Sequence, residues 1–359
     1  MTQPDRRLPL TVVTGFLGSG KTTFLRNILD LVEMRNTYVL VNEIADIGVD
    51  HKLLKPMAKS VVLLRNGCVC CTVRDDLRTA LLELVESASV SYAFDRIVVE
   101  TTGLADPMSM IETIVSHPLL DSRIRIGGVV TLVDCVNAEA QLDANPEFGA
   151  QIVAADYVIA TKADLVDSNV IARTAAIVEH LNPIARMVVG INGRDAVDAL
   201  VRGADRVFSS RTRAFKEISG AGCGAPMHTD VTTFAITLDR ACDWTAFAAW
   251  LSLLTHAHGE RVLRIKGLLD VAPGAAPVLI NCVRNLVYFP EHLDRWPDAD
   301  RESTLVFIMR GLDPQSILRS LRAFVGVGGA QLVAAGGETF ALSSTAGASP
   351  PTRTIGLHP

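Results

Sequence analysis

Residues 10–22 read LTVVTGFLGSGKT: a short β-branched apolar run is followed by three glycines and then by Lys21 and Thr22. This spacing matches G-x-x-x-x-G-K-[ST], a loop whose backbone N–H groups form a nest for phosphates. Residues 21–33 have the composition of a helix, and its N-terminus would direct its dipole at the phosphates. We expect Lys21 to reach the β- and γ-phosphates as a catalytic group, and the Thr22 hydroxyl to bind Mg²⁺. The expected nucleotide-binding residues here are Gly15, Gly18, Ser19, Gly20, Lys21, Thr22 and Thr23.

Around this motif, apolar strand-like runs alternate with helical stretches. The strand candidates are 10–14, 37–42, 61–65, 96–101, 127–134, 157–161 and 185–189, and the helix candidates are 21–33, 73–89, 107–116, 147–154 and 168–181. Most of the runs are continuously apolar, as in strands that are covered on both faces. The pattern predicts an α/β fold of the P-loop NTPase type, with a mainly parallel sheet covered by helices on both faces.

The pattern changes after residue 208. Residues 209–228 contain three glycines and a proline, and we interpret them as a linker between a nucleotide-binding domain (1–208) and a second unit. The second unit (229–342) is predicted to be a smaller α+β domain, and 343–359 are expected to be a disordered tail. Its strand candidates are 230–238, 261–269, 277–288 and 303–310, and its helix candidates are 244–256 and 314–324.

Composition excludes several classes of protein. The chain has 359 residues and a formal net charge of −5, which argues against a general nucleic-acid binder. No apolar run is long enough to span a membrane, and from the N-terminal residues we expect no secretion signal. Its seven cysteines are an odd number and fit reduced thiols better than a disulfide framework. We therefore expect a cytoplasmic protein.

Two further segments fit a nucleotide site. Glu100-Thr101-Thr102-Gly103 ends a strand candidate, where a carboxylate can hold the Mg²⁺ shell and Gly103 can let a backbone N–H approach the γ-phosphate. The alternative interpretation is a strand end followed by a helix start at Asp106-Pro107.

Thr161-Lys162-Ala163-Asp164 follows a later strand candidate. The Asp164 carboxylate can accept hydrogen bonds from the N1–H and 2-amino groups of guanine, which adenine lacks. Lys162 can lay its aliphatic stem along the base. The segment therefore favours GTP over ATP.

The sequence Cys68-Val69-Cys70-Cys71 places three thiols within four residues. Thiolates at this spacing can converge on one soft cation such as Zn²⁺ or Cu(I), and three ligands leave a tetrahedral ion one position short. Thr72 and Asp75 fit a capping box at the start of the next helix. A set of buried structural cysteines and a permanent structural zinc remain alternatives. We interpret Cys135, Cys223, Cys242 and Cys282 as small buried apolar residues.

These motifs occur in the order found in the CobW-type GTPases, P-loop GTPases related to the nickel-insertion GTPases of urease and hydrogenase. The matching segments are GFLGSGKTT, the acidic loop at 42–50, GCVCC, ETTGLADP and TKAD. LRIKG at 263–267 and LDRWPDADRESTLVFI at 293–308 resemble the C-terminal domain of that family. The resemblance covers the chain to about residue 325.

The resemblance implies a GTP-hydrolysing metallochaperone that passes a transition metal, zinc or cobalt, to a client metalloprotein. Cys68, Cys70 and Cys71 would bind the metal, and Glu43 or Asp46 would position the attacking water or complete the metal shell. A homodimer that depends on nucleotide or metal is compatible with this interpretation. The acidic loop departs from the usual Asn-Glu-Phe-Gly-Glu, because Ala45 and Asp46 stand at its last two positions. The His-rich loop of many members is missing, and we expect His256 and His258 to be ordinary surface or core residues.

Other functions stay open at this stage. One is the activation of a single metalloenzyme, of the nitrile-hydratase type or in the cobalamin pathway. A P-loop kinase with a structural zinc would prefer ATP, and a non-hydrolysing metal-sensing module would bind GTP without releasing phosphate.

Overall fold

The computed structural model describes residues 7–29, 31–41, 60–63, 72–86, 94–190, 231–271, 276–293, 295–296 and 301–334. These residues form a parallel α/β layer up to residue 190 and an antiparallel layer from residue 231. No helix in these ranges combines the length and the apolar character needed to cross a bilayer.

The first layer is built on seven strands. They are β1 (Leu8–Gly15), β2 (Thr37–Val41), β3 (Ser60–Leu63), β4 (Arg96–Glu100), β5 (Ile124–Asp134), β6 (Tyr157–Thr161) and β7 (Arg186–Val189). The strand order is β3-β2-β4-β1-β5-β6-β7, and every pairing is parallel. The strand with the glycine-rich loop, β1, therefore lies between β4 and β5.

Helices cover both faces of this sheet. They are α1 (Lys21–Leu29), α2 (Thr72–Glu86), α3 (Pro107–Val115), α4 (Pro118–Arg123), α5 (Ala138–Ala144), α6 (Pro146–Ala154) and α7 (Ser168–Leu181). Neighbouring residues of β1 belong to opposite cores: Val12 packs with residues of α2 and α3, and Val13 packs with residues of α1. This alternation confirms the predicted parallel sheet with helices on both faces, and it explains the continuously apolar strands.

The second layer is an antiparallel sheet with two helices. Its strands are β8 (Val231–Leu238), β9 (Val262–Leu269), β10 (Val278–Val283), β11 (Leu286–Val287), β12 (Glu291–His292), β13 (Ser303–Arg310) and β14 (Gln331–Ala334). The order is β11-β10-β9-β13-β8-β14, and β12 pairs with β10. Helices α8 (Trp244–His258) and α9 (Pro314–Val325) supply core residues that pack with Phe234 and Phe307, whose rings stack at 5.0 Å.

Several predicted boundaries were wrong. The strand predicted at 277–288 is two strands separated by a turn at Arg284 and Asn285, and Arg284 adopts a left-handed φ of 53°. The helix predicted at 21–33 ends at Leu29 and is followed by a 3-10 turn at Val32–Met34. Helices α4 and α5 and strand β14 were not predicted. The linker at 209–228 and the tail at 343–359 lie outside the described residues.

Strands β9 and β13 show how the two layers meet. In β13, Leu305, Phe307 and Met309 belong to the core under α8 and α9, whereas the intervening Ile308 packs with residues of the first layer. In β9, Arg264 and Lys266 project the same way as Ile308, towards the first layer. This sheet is therefore buried on both faces.

A buried ion cluster joins the layers. The Asp156 carboxylate, which precedes β6, receives hydrogen bonds from the Arg264 guanidinium and from Lys266 Nζ at 2.8 Å, and its other oxygen accepts from Val129 N at 2.9 Å. All three charged side chains are at most 3% exposed. Burial by itself would raise the pKa of Asp156. The two cations and the hydrogen bonds have the larger, opposite effect and lower the pKa from 3.8 to about 2. Arg264 also donates to carbonyls of Val153, Ala154 and Ala155, where α6 ends.

We expect Asp156→Asn to reduce the free energy of unfolding by about 3–5 kcal/mol, because it leaves two buried cations without their counter-charge. The measurement is urea unfolding at neutral pH. Glu139→Gln is the matched control: its ion pair with Arg173 at 2.7 Å is more than half exposed and should contribute about 1 kcal/mol or less. Equal losses in the two variants would contradict this account.

The wild type and the Asp156→Asn variant also test the pKa of Asp156. Because the pKa is depressed from 3.8 to about 2, the stabilisation is fully present above about pH 4 and is lost as the pH falls towards 2. The difference between wild type and Asp156→Asn should shrink over that interval. A difference that stays constant from pH 6 to pH 2.5 would show that the carboxylate is not held charged.

Candidate nucleotide site

The loop between β1 and α1 has the backbone of a phosphate cradle. Gly15, Gly18 and Gly20 have φ values of 144°, 73° and 90°, which side chains disfavour. A Cβ on Gly15 would also lie 2.5 Å from the carbonyl oxygen of Leu132 on β5. Ser19 N donates to Phe16 O at 3.1 Å and closes the turn. The glycines of the motif are therefore required by backbone conformation and by close approach to β5.

Lys21 lies over this loop. Its Nζ donates to the carbonyl oxygens of Gly15 at 2.7 Å and Phe16 at 3.2 Å. Burial lowers the pKa of Lys21, and the nearby Glu100 carboxylate partly offsets the effect. An ammonium held this way, partly withdrawn from water, can exchange loop carbonyls for phosphate oxygens at small cost.

Thr22 and Glu100 bring two oxygen ligands together. Thr22 Oγ1 donates to Glu100 Oε1 at 3.2 Å, and Glu100 is only 4% exposed at the end of β4. Parallel pairing of β1 with β4 places Glu100 opposite Val13 and so brings the carboxylate to the loop. A hydroxyl and a carboxylate at this distance are hard oxygen ligands of the kind Mg²⁺ prefers, so the residues fit the predicted ion. Thr23, the next residue, is exposed on α1.

The segment after Glu100 packs on the glycine-rich loop. Thr101 N donates to Val13 O at 2.9 Å, and the hydroxyls of Thr101 and Thr14 are 2.7 Å apart. A Cβ on Gly103 would lie 2.7 Å from Leu17 N and 2.8 Å from Leu17 Cα. Gly103 is therefore needed here for close approach to the loop backbone.

The predicted base element is tied to the same loop. Thr161 Oγ1 donates to Ser19 O at 2.8 Å and to Val133 O at 3.3 Å. Lys162 has a left-handed φ of 55°, and its Nζ pairs with Asp134 Oδ2 at 2.8 Å. Asp164 is exposed on the following 3-10 turn. Its carboxylate is accessible to a base, and the threonine that replaces the usual asparagine still bonds to the loop.

Sequence reasoning missed two residues that organise this site. Asp134, at the end of β5, is buried and accepts from Val136 N and Asn137 Nδ2 as well as from Lys162. Gln151, on α6, is 1% exposed and donates from Nε2 to the carbonyl oxygens of Gly103 and Ala105, at 3.1 Å each. The only signal was a polar residue within an apolar run, VVTLVD for one and QIVA for the other.

The other predicted site residues lie outside the described residues: Glu43, Asp46, Cys68, Cys70 and Cys71. The elements on either side of the cysteines are described, namely β3, which ends at Leu63, and α2, which begins at Thr72. The side chain of Thr72, the predicted cap, is not described.

Within the described ranges, no group of three or more potential metal ligands occurs, and His256 is exposed on α8. Cys135, Cys242 and Cys282 are buried free thiols whose pKa values are raised by burial, which confirms the prediction for these three.

A phosphate cradle with an adjacent lysine, a Thr–Glu oxygen pair and a base element on one edge of a parallel sheet defines a P-loop nucleotide-binding protein. The family model for the CobW/HypB/UreG nucleotide-binding domain matches residues 9–189, and the model for the cobalamin synthesis protein CobW C-terminal domain matches 231–325. The chain therefore belongs to the CobW/HypB/UreG family, as the sequence motifs indicated.

Named relatives extend over most of the chain. The zinc chaperone YjiA of Escherichia coli is 31% identical over 330 residues, which is 89% of this chain and 98% of the relative. A zinc chaperone CobW from Sinorhizobium is 27% identical over 354 residues, with the same coverage. The crystal structure of Zn(II)-bound YjiA GTPase superposes with a TM-score of 0.59 at 24% identity, covering 89% of this chain and 99% of that one, which shows a shared fold.

We expect Gly103→Ala to weaken nucleotide binding, because its methyl group would force the Leu17 backbone away from the cradle. Overpacking of this kind costs roughly 1–3 kcal/mol in stability, and the full cost, if it falls on the bound cradle, sets an upper bound of roughly 150-fold on the loss of affinity. Titration with a fluorescent guanine nucleotide measures the effect. Gly149→Ala on α6 is the matched control, since a Cβ there meets no atom within 4 Å. Equal affinities for both variants would show that the contact with Leu17 does not shape the cradle.

Proposed function

We propose that this chain is a GTP-hydrolysing metallochaperone that binds zinc at Cys68, Cys70 and Cys71 and transfers it to a client metalloprotein. One observation carries the proposal: Thr161, which begins the guanine-type element, hydrogen-bonds to Ser19 in the phosphate cradle, within a chain whose relatives are zinc chaperones. A base element and a phosphate cradle joined by a direct hydrogen bond favour GTP as the nucleotide.

The proposed hydrolysis rests on positioning and charge. Lys21 would exchange its bonds to loop carbonyls for phosphate oxygens, and the cradle N–H groups would stabilise the charge that develops on them. Thr22 and Glu100 would hold Mg²⁺, which neutralises phosphate charge when bound. Gly103, which packs on Leu17, would bring its backbone to the γ-phosphate side of the cradle.

The attacking water needs a residue that orients it, and we assign this role to Glu43 or Asp46. Both follow β2 in the sequence, and the last residue of β2, Val41, pairs with Glu100 of β4. The carboxyl ends of parallel strands share one edge of the sheet, so β2 ends beside the proposed Mg²⁺ ligands. With no arginine assigned to the transition state, we expect slow basal turnover that a client accelerates.

Zinc is the proposed cargo, with cobalt as the alternative metal. The cysteines lie between β3, which ends on the same sheet edge, and the N-terminus of α2, where the helix dipole favours thiolate. Three thiolates leave one coordination position, which a residue of the segment 42–50 or of the client would fill. We expect the position of that segment to depend on the bound nucleotide. This arrangement would couple zinc affinity to the bound nucleotide. The client and a nucleotide-dependent homodimer belong to the same proposal.

We expect Asp164→Asn to reduce GTP affinity by roughly 10- to 100-fold, because an amide cannot accept both guanine hydrogen bonds and the charged acceptor is worth about 1.5–3 kcal/mol. The same variant should gain affinity for xanthosine triphosphate, whose 2-oxo group can accept from the new amide. Competition against a fluorescent GTP analogue measures both changes, with ATP as a further competitor.

Asp167→Asn is the matched control, with the same charge change three residues away. Asp167 caps α7 by accepting from Asn169 N and Val170 N, and asparagine caps equally well. Unchanged discrimination in Asp164→Asn would remove this segment from the base site. Preference of the wild type for ATP would favour a kinase with a structural zinc.

We expect zinc affinity to change by roughly 5- to 150-fold between the nucleotide-free protein and the complex with Mg²⁺ and a non-hydrolysable GTP analogue, the usual range of coupling between sites. The measurement is a competitive chelator titration of reduced protein. The triple Cys68→Ser, Cys70→Ser, Cys71→Ser variant should lose tight zinc binding and keep GTP binding. Lys21→Ala should keep zinc binding, release no phosphate from GTP and lose the nucleotide effect.

Equal zinc affinity in both nucleotide states would make the metal structural or the cargo another ion, and cobalt would then be titrated in the same way. Stoichiometric zinc binding by the triple variant would contradict the thiolate site.

A further inference from the structure

The segment Gly103–Asp106 is held from three sides. Gly103 packs on Leu17 of the phosphate cradle, and the carbonyl oxygens of Gly103 and Ala105 accept from Gln151 of α6. The third contact comes from the C-terminal layer: Arg284 Nη1 lies 2.7 Å from Asp106 Oδ2. The segment that packs on the phosphate cradle is therefore contacted directly by the second domain.

Both ends of this ion pair are fixed by their own domains. Asp106 caps α3, because its Oδ1 accepts from Met108 N at 3.0 Å. Arg284 lies in the turn between β10 and β11, and its left-handed backbone is uncommon for a residue with a side chain. A shift of the β10–β11 turn relative to the first domain would therefore pull directly on the start of α3.

A second connection runs through α6. Arg264 donates to the carbonyls that end this helix, and Gln151, one turn earlier on the same helix, holds Gly103 and Ala105. The arginine of LRIKG thus fixes the element from which the glycine segment is held. The two connections differ in exposure: Arg264 is buried, whereas the Arg284 and Asp106 side chains are 43% and 30% exposed.

We propose that Arg284 is a positioning residue for GTP hydrolysis: by holding Asp106 it sets the position of Gly103 against the cradle, so the docking of the C-terminal domain controls turnover. The inference rests on the proposed GTPase function. We also expect exchange of GTP for GDP to change how strongly Arg284 is held, because loss of the γ-phosphate would alter the Gly103 segment that Asp106 continues. The nucleotide state would thereby be communicated to the C-terminal domain.

The surroundings of the pair suit a contact that can open. Leu104, Asp106, Val283 and Arg284 line a cavity of about 740 Å³ between the two layers, which leaves room for the segment to move. A partly exposed ion pair contributes little stability, so a small free-energy difference between the nucleotide states is enough to make or break it. When the Arg284–Asp106 pair opens, the buried cluster at Asp156 still holds the two domains together.

The test compares Arg284→Gln, Asp106→Asn and the double variant. Asparagine keeps the cap on α3 while removing the charge. We expect each single variant to lower kcat for GTP about two- to fivefold with KM changed less than twofold, in keeping with an exposed pair. The double variant should be no slower than either single variant, because both remove the same interaction.

Arg125→Gln is the matched control. Arg125, near the start of β5, lies 4.0 Å from Glu291 of β12, so it also makes an ion pair between the layers. This pair lies at the amino-terminal ends of the parallel strands, whereas Asp106 lies beyond their carboxyl ends. This variant should leave kcat unchanged. Equal loss of kcat in Arg125→Gln and Arg284→Gln would overturn the inference, because any weakening of domain docking would then suffice.

Amide hydrogen exchange gives a readout that does not depend on turnover. In the wild type, peptides covering 278–288 and 103–110 should exchange differently with GDP than with a GTP analogue, and Arg284→Gln should remove the difference at 278–288. The same nucleotide-dependent difference in both proteins would overturn the inference. A wild type that binds but does not hydrolyse GTP would refute the proposed function, and the exchange experiment would still decide whether Arg284 senses the nucleotide.

Discussion

The parallel pairing of β1 between β4 and β5 is the constraint on which the site depends. It sets Val13 opposite Glu100 and Gly15 opposite Leu132, so a carboxylate from one neighbour and a carbonyl wall from the other meet the glycine-rich loop. The next strand, β6, ends at Thr161 and reaches the same loop at Ser19. Segments almost 150 residues apart in the chain become one site because four parallel strands end on one edge.

The C-terminal domain is part of the same construction. Its strand β13 is apolar at successive positions because one face packs under α8 and α9 and the other on the first layer. Charged residues are placed on that second face only where they find partners, as Arg264 and Lys266 do at Asp156. Either layer alone would expose these side chains to water, so the two layers are complementary in charge as well as in apolar surface.

Contiguous motifs could be predicted from the sequence, and residues that act across the fold could not. The cradle, Glu100 and Thr161–Asp164 each lie at or directly after the end of a strand, and a parallel sheet brings such positions together at one edge. The role of Gln151 is marked only by its polarity within an apolar run, and that of Arg284 has no local signal. Both roles depend on which helix packs on the Gly103 segment and on where a distant turn falls. The strand predicted at 277–288 shows this limit: periodicity continues through Arg284, but the chain turns there in a left-handed conformation.

Among the ionic contacts between the layers, the Asp156 cluster and the Asp106–Arg284 pair differ most in exposure, and they lie at opposite ends of the parallel strands. Asp156 precedes β6 and is fully withdrawn from water, so opening its cluster would strand buried charges and cost several kcal/mol. Asp106 follows β4 beside the nucleotide cradle and is partly hydrated, so opening its pair costs about 1 kcal/mol or less. Val283, next to Arg284, is buried among core residues of the first layer, so the two domains stay in contact there when the ion pair opens. Opening the pair would therefore release Asp106 and the Gly103 segment without separating the domains, which is the local change that the proposed role of Arg284 requires.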